Sequence, residues 1–265
     1  MRGKGRVQKQ QSIFVFGINP VWEKLRHAPH EVHEISIVAG SLRPALRSIA
    51  REARAMGLPV HFVEPSFLQR LAASKHHQGV VAEVAEYAFF PFEDALRDLL
   101  AARTPRWVLA LDGVKDPRNF GALLRTAEGV GIGYVVIPED RAVGVTPAVV
   151  KSSVGAVNYL KISRVTNLRR ALMTFKDNSF WVVGLDPAGT QEIYGRSYPE
   201  NLVVVLGSEG SGIRPLIRRE CDLLVSVPMR GKIGSLNVAV AAGVFLYELL
   251  RQKTSSQSVD VSPGG

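Results

Sequence analysis

The chain has a single cysteine in 265 residues and no histidine after position 77. Each scarcity removes a class of chemistry. A lone Cys221 excludes an internal disulfide and a cysteine-based metal cluster. Its neighbours Glu220 and Asp222 oppose a thiolate, so Cys221 reads as a packing residue rather than a nucleophile. All six histidines (His27, His30, His33, His61, His76, His77) lie in the first third of the sequence. A site in the remainder must therefore work without a local imidazole base, which excludes a Ser-His-Asp hydrolase or a His-ligated zinc centre there. No apolar run approaches the roughly 18 residues that cross a bilayer. Met1 to Gln11 is basic and polar and lacks the apolar core of a secretion signal, so the expected compartment is the cytoplasm. No internal repeat is present.

What the chain does have is positive charge and apolar content. A net charge of +9 points to a polyanionic partner, most simply nucleic acid. Residues 1–90 hold 12 Lys/Arg against 7 Asp/Glu and the remainder 21 against 17, so both parts carry the excess. With 46% apolar residues the chain can bury a proper core. Its length allows one large domain or two ordinary ones.

The pattern predicts two α/β units. Short apolar runs at Ile13–Phe16, Ile35–Val38, Val60–Val63 and Val80–Val84 read as strands, with helices starting at an Asn19 cap and spanning Leu42–Met56. A linker over 88–104 turns helical near Phe92. Strands follow at Trp107–Leu111, Tyr134–Ile137, Trp181–Leu185, Leu202–Leu206 and Leu223–Val227, with helices between several of them. Continuous apolar strands bounded by helices predict a mainly parallel sheet covered on both faces. The last helix, about Ser235 to Arg251, is apolar nearly all round and needs cover on more than one side, from a dimer partner or from a deep position in its own chain. The expected boundaries are a basic flexible start (1–12), a first domain (13–87), the linker, a second domain (105–252) and a Ser-rich disordered tail (253–265).

Three segments carry polar or glycine positions to strand ends or helix starts, where ligand sites on α/β sheets lie. In Asp116-Pro117-Arg118-Asn119 through Arg125-Thr126-Ala127, Asn119 belongs near a helix N-terminus, able to cap and to reach a site. Arg125, six positions on, points elsewhere on that helix. Flanking Leu123, Leu124 and Ala127 suggest burial around it, although an arginine in a helix is commonly a solvated surface charge. In Leu206-Gly207-Ser208-Glu209-Gly210-Ser211-Gly212, backbone amides after a buried strand can face a ligand, or form a plain glycine turn. The segment has neither the G-x-G opening of a dinucleotide fingerprint nor the Gly-Lys-Ser/Thr of a Walker A loop. In Val227-Pro228-Met229 to Gly234-Ser235-Leu236-Asn237-Val238, Ser235 is placed to cap the final helix, and Asn237 is ill suited to a helix's first turn unless it has a task.

Together the three segments resemble the motifs of the SpoU/TrmH family, RNA ribose 2'-O-methyltransferases of the SPOUT superfamily. Phe16-Gly17-Ile18-Asn19-Pro20-Val21-Trp22 and His76-His77-Gln78-Gly79-Val80 resemble the two ends of that family's substrate-binding domain, although the histidine pair alone reads equally as a turn before a strand. The resemblance spans about Ile13 to Arg251. It implies an N-terminal small α/β substrate-binding domain and a C-terminal SPOUT domain with a mainly parallel sheet and a deep trefoil knot, which patterning alone does not reveal. It implies S-adenosyl-L-methionine (SAM) as cofactor, no metal, a homodimer, and RNA as partner (23S rRNA or a large-subunit assembly intermediate). Asn119, Arg125, Glu209, Ser235 and Asn237 would form the catalytic centre. Leu206, Gly207, Val227, Met229 and Leu236 would hold the cofactor, with Val227 standing where the family often has isoleucine. The first domain aligns the chain with members that methylate a 23S guanosine in the peptidyl-transferase P-loop. The alternatives are a guanosine in tRNA, or a non-catalytic RNA-binding assembly factor.

Overall fold

The computed structural model describes residues 13–41, 43–85, 87–102, 106–140 and 142–257. The expectations for residues 1–12, Leu42 and 258–265 lie outside these described residues. The chain divides into two compact units, Met1–Ala88 and Phe89–Gly265.

The first unit runs β1 (Ile13–Phe16), α1 (Ile18–His27), β2 (Val32–Val38), α2 (Pro44–Ala55), β3 (Val60–Val63), α3 (Pro65–Ala72) and β4 (Val80–Val84). Its sheet has the order β1-β4-β2-β3, with β4 antiparallel to both neighbours and β3 parallel to β2 at the edge. In α2, Leu46, Ile49, Ala50 and Ala53 recur at helical spacing and bury against Ile35, Ile37 and α1. The shorter α3 covers the opposite face through Leu68 and Ala72. The start of α1 differs from the sequence reading. Gly17, at φ 97°, is the residue before the helix, and the Gln78 side-chain oxygen accepts the Ile18 N–H at 2.9 Å. Asn19 therefore sits inside the first turn and caps nothing.

The second unit opens with α4 (Phe92–Ala101) and continues β5 (Arg106–Asp112), α5 (Pro117–Gly129), β6 (Tyr134–Pro138), α6 (Pro147–Ser152), β7 (Lys161–Val165), α7 (Leu168–Asp177), β8 (Trp181–Leu185), β9 (Gln191–Glu192), β10 (Asn201–Gly207), α8 (Pro215–Arg218), β11 (Leu223–Ser226) and α9 (Val238–Gln257). The sheet order is β7-β6-β5-β10-β8-β11-β9, and every pairing is parallel. The predicted parallel sheet is thus present. Patterning did not predict β7, whose Lys161 and Arg164 break the apolar run.

The central strands β5 and β10 are buried along almost their whole length, as strands covered on both faces must be. One face packs α4, α7 and α8 through Leu99, Leu172, Phe175 and Ile217, while α5 packs with α6 and α9. Helix α9 also runs past Arg251, where the reading ended it, to Gln257. The Thr254 and Ser255 hydroxyls bond back to the carbonyls of Leu250 and Arg251 at 2.9 and 3.0 Å, which suits continued helix.

Phe175 lies at the junction of three elements. Its ring sits 5.3 Å from Phe92 of α4, edge-on, and 5.3 Å from Phe180 ahead of β8. Phe175→Ala is expected to lower stability by about 3–5 kcal/mol through the cavity it leaves. Denaturant unfolding of the two proteins measures this, and a loss under about 1 kcal/mol would mean the site collapses around the gap.

Candidate active site

Because β5, β8, β10 and β11 are parallel, their C-terminal ends finish along one edge of the sheet. The segments that leave this edge carry the three sequence motifs. The segment after β10 is a tight reversal in which Ser208 and Gly212 exchange backbone hydrogen bonds at 3.1 and 2.9 Å. Gly207 allows it, since a Cβ there would fall 2.0 Å from the backbone carbon of Gly212. Gly210 and Gly212 turn the chain at φ 82° and 63°, and the Ser208 and Ser211 hydroxyls bond to each other across the turn. Glu209 is held at the tip.

Two buried aspartates fasten the base of this reversal. Asp112, at the end of β5 and 1% exposed, accepts the Arg214 backbone N–H at 2.8 Å and its Nε–H at 2.6 Å. Asp186, after β8 and 3% exposed, accepts Arg218 Nη2 at 2.6 Å and the Ala188 N–H at 2.9 Å. A carboxylate taken out of water needs such partners. Asp112 thereby holds the residue just before α8, and Asp186 holds α8 itself. Gly189 completes the edge, because a Cβ there would lie 2.5 Å from the backbone carbon of Val225.

The first motif enters from α5. Asp116 is its N-cap, accepting the N–H groups of Arg118 and Asn119 at 2.6 and 3.1 Å, with Pro117 at the first helical position. The cap is thus Asp116, and the Asn119 side chain is free for other work. Its Nδ2 donates to Glu209 Oε1, and its Oδ1 accepts from Asn237 Nδ2 at 3.1 Å. Asn237 Oδ1 in turn accepts the N–H groups of Ala239 and Val240 at 2.9 and 3.4 Å. Asn237 is therefore the N-cap of α9, which starts at Val238, so the capping expected of Ser235 falls to Asn237. This also answers why an asparagine stands at the start of an apolar helix. One polar chain, Asn237–Asn119–Glu209, joins the three motifs.

Beside it lies a cavity of about 750 Å³ lined by Leu206, Gly207, Glu209, Val227, Met229, Ser235, Leu236 and Asn237, among others. All five residues expected at a cofactor border it. Ser235 does too, exposed and outside the helix. Arg125 does not join them. Leu123, Leu124 and Ala127 are buried as expected, but Arg125 faces solvent, and no acidic partner is recorded for it among the described residues. The surface-charge alternative describes its position in one chain better than burial does. Sequence reasoning missed Asp112, the Asp186-Pro187-Ala188 segment and Arg218. Asp186 to Gly189 carried a readable signal, since Asp-Pro-Ala-Gly follows the buried strand β8. Cys221 fits its reading as a packing residue: burial pushes its thiol up to about 12.

The arrangement defines an α/β protein with a small-molecule cavity at the carboxyl edge of a parallel sheet and an amide–carboxylate cluster on its rim. Residues 106–247 match the SpoU rRNA Methylase family, and residues 14–90 match the RNA 2'-O ribose methyltransferase substrate binding family. The chain is 37% identical to the 23S rRNA (guanosine-2'-O-)-methyltransferase RlmB of Shewanella oneidensis, over 93% of this chain and 100% of that protein. It is 40% identical to the RlmB of Coxiella burnetii, over 90% and 95%. The SpoU methyltransferase AviRb from Streptomyces viridochromogenes, crystallised with AdoMet, superposes with a TM-score of 0.70 at 25% identity, covering 92% of this chain and 91% of that one. The chain belongs to the SpoU methylase family.

Asn237→Ala should lower stability by about 1 kcal/mol, the value of a helix cap, and Asn237→Ser should recover most of it. Thermal or denaturant unfolding of the three proteins decides. Equal losses in both variants would show that the Asn119 contact, and not the cap, supplies the stability.

Proposed function

We propose that this protein transfers the methyl group of SAM to the ribose 2'-hydroxyl of a guanosine in 23S rRNA. The observation that carries the proposal is the convergence of Asn119, Glu209 and Asn237 on the rim of the cavity. The cavity suits the cofactor. Leu206, Val227 and Leu236 offer apolar surface for a purine ring, and the glycine-bounded turn brings backbone groups close to polar parts of a ligand. SAM supplies an already activated methyl group, so the protein's own task is alignment and removal of one proton.

Each residue has a part in that task. Asn119 holds Glu209 at a fixed orientation, and Asn237 holds Asn119 from a helix start. Ser235, exposed on the same rim, is placed to contact the target ribose. Arg125 carries a guanidinium, so its role is electrostatic: it engages the target phosphate and stabilises the developing alkoxide while phosphate or solvent accepts the proton.

The exposed place of Arg125 and the apolar surface of α9 support a homodimer in which Arg125 acts beside a partner subunit's site. On α9, Val240 and Tyr247 are one heptad apart and 53% and 55% exposed. We assign residues 13–87 to the substrate-binding domain, 88–104 to the linker and 105–252 to the methyltransferase domain, with the knotted path its family implies. The substrate is the rRNA itself or a large-subunit assembly intermediate, in the cytoplasm. Among the described residues no helix is long and apolar enough to cross a membrane.

Labelled SAM offered with unmodified 23S rRNA and, separately, unmodified tRNA should place label on one 23S guanosine ribose. Label confined to tRNA would overturn the substrate, and no label with SAM bound would overturn the reaction. Arg125→Ala should cost about 10²–10³-fold in transfer rate, as for a lost transition-state donor, with SAM affinity within about twofold of the parent. Loss of SAM binding in titration calorimetry would contradict the role given to Arg125.

A further inference from the structure

The first unit carries a second cavity, of about 370 Å³, between α2 and the edge strand β3. Its floor is apolar, built from Ile37, Leu46 and Ala50. Its wall is a stripe of arginines. Arg47, Arg51 and Arg54 follow one another at four and three positions along α2, which aligns them on one helix face. All three are exposed, and none is in an ion pair among the described residues. Three like charges so placed repel one another by about a few tenths of a kcal/mol per neighbouring pair, and no ion pair among the described residues offsets that.

Phe62 closes the cavity from β3. It is 52% exposed on an edge strand, where a large apolar side chain is a liability unless it is used. The Arg54 guanidinium lies 5.3 Å from its ring centroid. An exposed aromatic ring with a guanidinium over one face, and two further cations along a groove, match the needs of one kind of ligand. Unpaired bases stack on aromatic rings, and their phosphates track cationic side chains. A duplex buries its base faces and offers no such surface. The apolar floor adds room for a splayed-out base and gives no hydrogen-bond code for a particular one.

We propose that this face binds a single-stranded segment of the RNA substrate, with one unpaired base stacked on Phe62 and Arg54 and flanking phosphates on Arg47 and Arg51. This rests on the reading that the protein's substrate is RNA. It adds where on the first unit the RNA is held and in what form. The cavity is lined by first-unit residues alone, none of them in the three catalytic motifs, so the proposal concerns capture of the RNA and not the chemical step.

The test uses the full-length protein and a fluorescent single-stranded RNA, with a blunt duplex of the same length beside it. Binding is read by anisotropy, so it does not depend on methyl transfer. Phe62→Ala should weaken single-strand binding by about 5- to 150-fold, the loss of one base–aromatic stack, and Phe62→Tyr should restore it. The Arg47→Ala, Arg51→Ala double variant should flatten the slope of log affinity against log salt by about 1.4, two phosphate contacts to a single strand. In transfer assays the same variants should raise KM for RNA and leave kcat and SAM affinity unchanged. Unaltered RNA affinity in all variants overturns the proposal, as does equal weakening of single strand and duplex by Phe62→Ala. Displacement of the RNA by polyglutamate at equal charge concentration would assign the face to an acidic protein instead. Intact RNA binding with no methyl transfer by the parent protein would sink the enzymatic reading and leave this one standing.

Discussion

The site depends on one hydrogen-bonded chain: Asn237 to Asn119 to Glu209. Each member begins in a different part of the sequence, at the start of α9, in the first turn of α5 and at the tip of the turn after β10. Primary amides suit the first two places because each offers a donor and an acceptor from the same group. Asn237 spends its oxygen on the cap of α9 and its nitrogen on Asn119; Asn119 spends its oxygen on that contact and its nitrogen on the carboxylate. Aspartate at position 119 would set a carboxylate against a carboxylate. The orientation of Glu209 is therefore tied to where two helices begin.

That chain depends on how its anchors are held, and the anchoring is electrostatic as well as apolar. Parallel strands bring the ends of β5 and β8 alongside the end of β10. Asp112 and Asp186 stand at those ends, buried, and grip Arg214 and Arg218 from the chain that follows the Glu209 turn. Replacing one partner would strand a charge in a dry place, which is costly even where the pair itself adds little net stability. Gly207 lets the backbone pack where a side chain would not fit. The first unit is built differently, as an antiparallel-rich sheet with α2 and α3 on opposite faces, and Arg47, Arg51 and Arg54, in no ion pair among the described residues, are exposed rather than locked into the fold.

Much of this was legible from the residues. The strands from Trp107 and Leu202 announced a buried parallel sheet because nothing polar interrupts them until Asp112 and Gly207. The three motifs could be placed at strand ends and helix starts by turn chemistry alone. What failed was the assignment of caps. Asn19 and Ser235 both look like caps in one dimension. Gly17 and Asn237 took the role, because a left-handed glycine with Gln78 behind it, and an asparagine with two backbone donors ahead of it, satisfy the helix ends better. The partners of Asp112 and Asp186 lie 102 and 32 positions away, and no local pattern encodes such pairings. The exposure of Arg125 was half legible: its apolar neighbours on α5 suggested burial, while an arginine in a helix is commonly a solvated surface charge, and the helical phase turns it outward.

The most direct test of the claim that the three motifs act as one unit is a double-mutant cycle on the methyl-transfer rate, with Asn119→Ala, Asn237→Ala and both together. A connected chain predicts that the second substitution adds little once the first is made, with a coupling of at least about 1 kcal/mol between the two positions. Losses that simply add would mean that Asn119 and Asn237 serve the site independently, and that the hydrogen bond between them carries no part of the catalytic geometry.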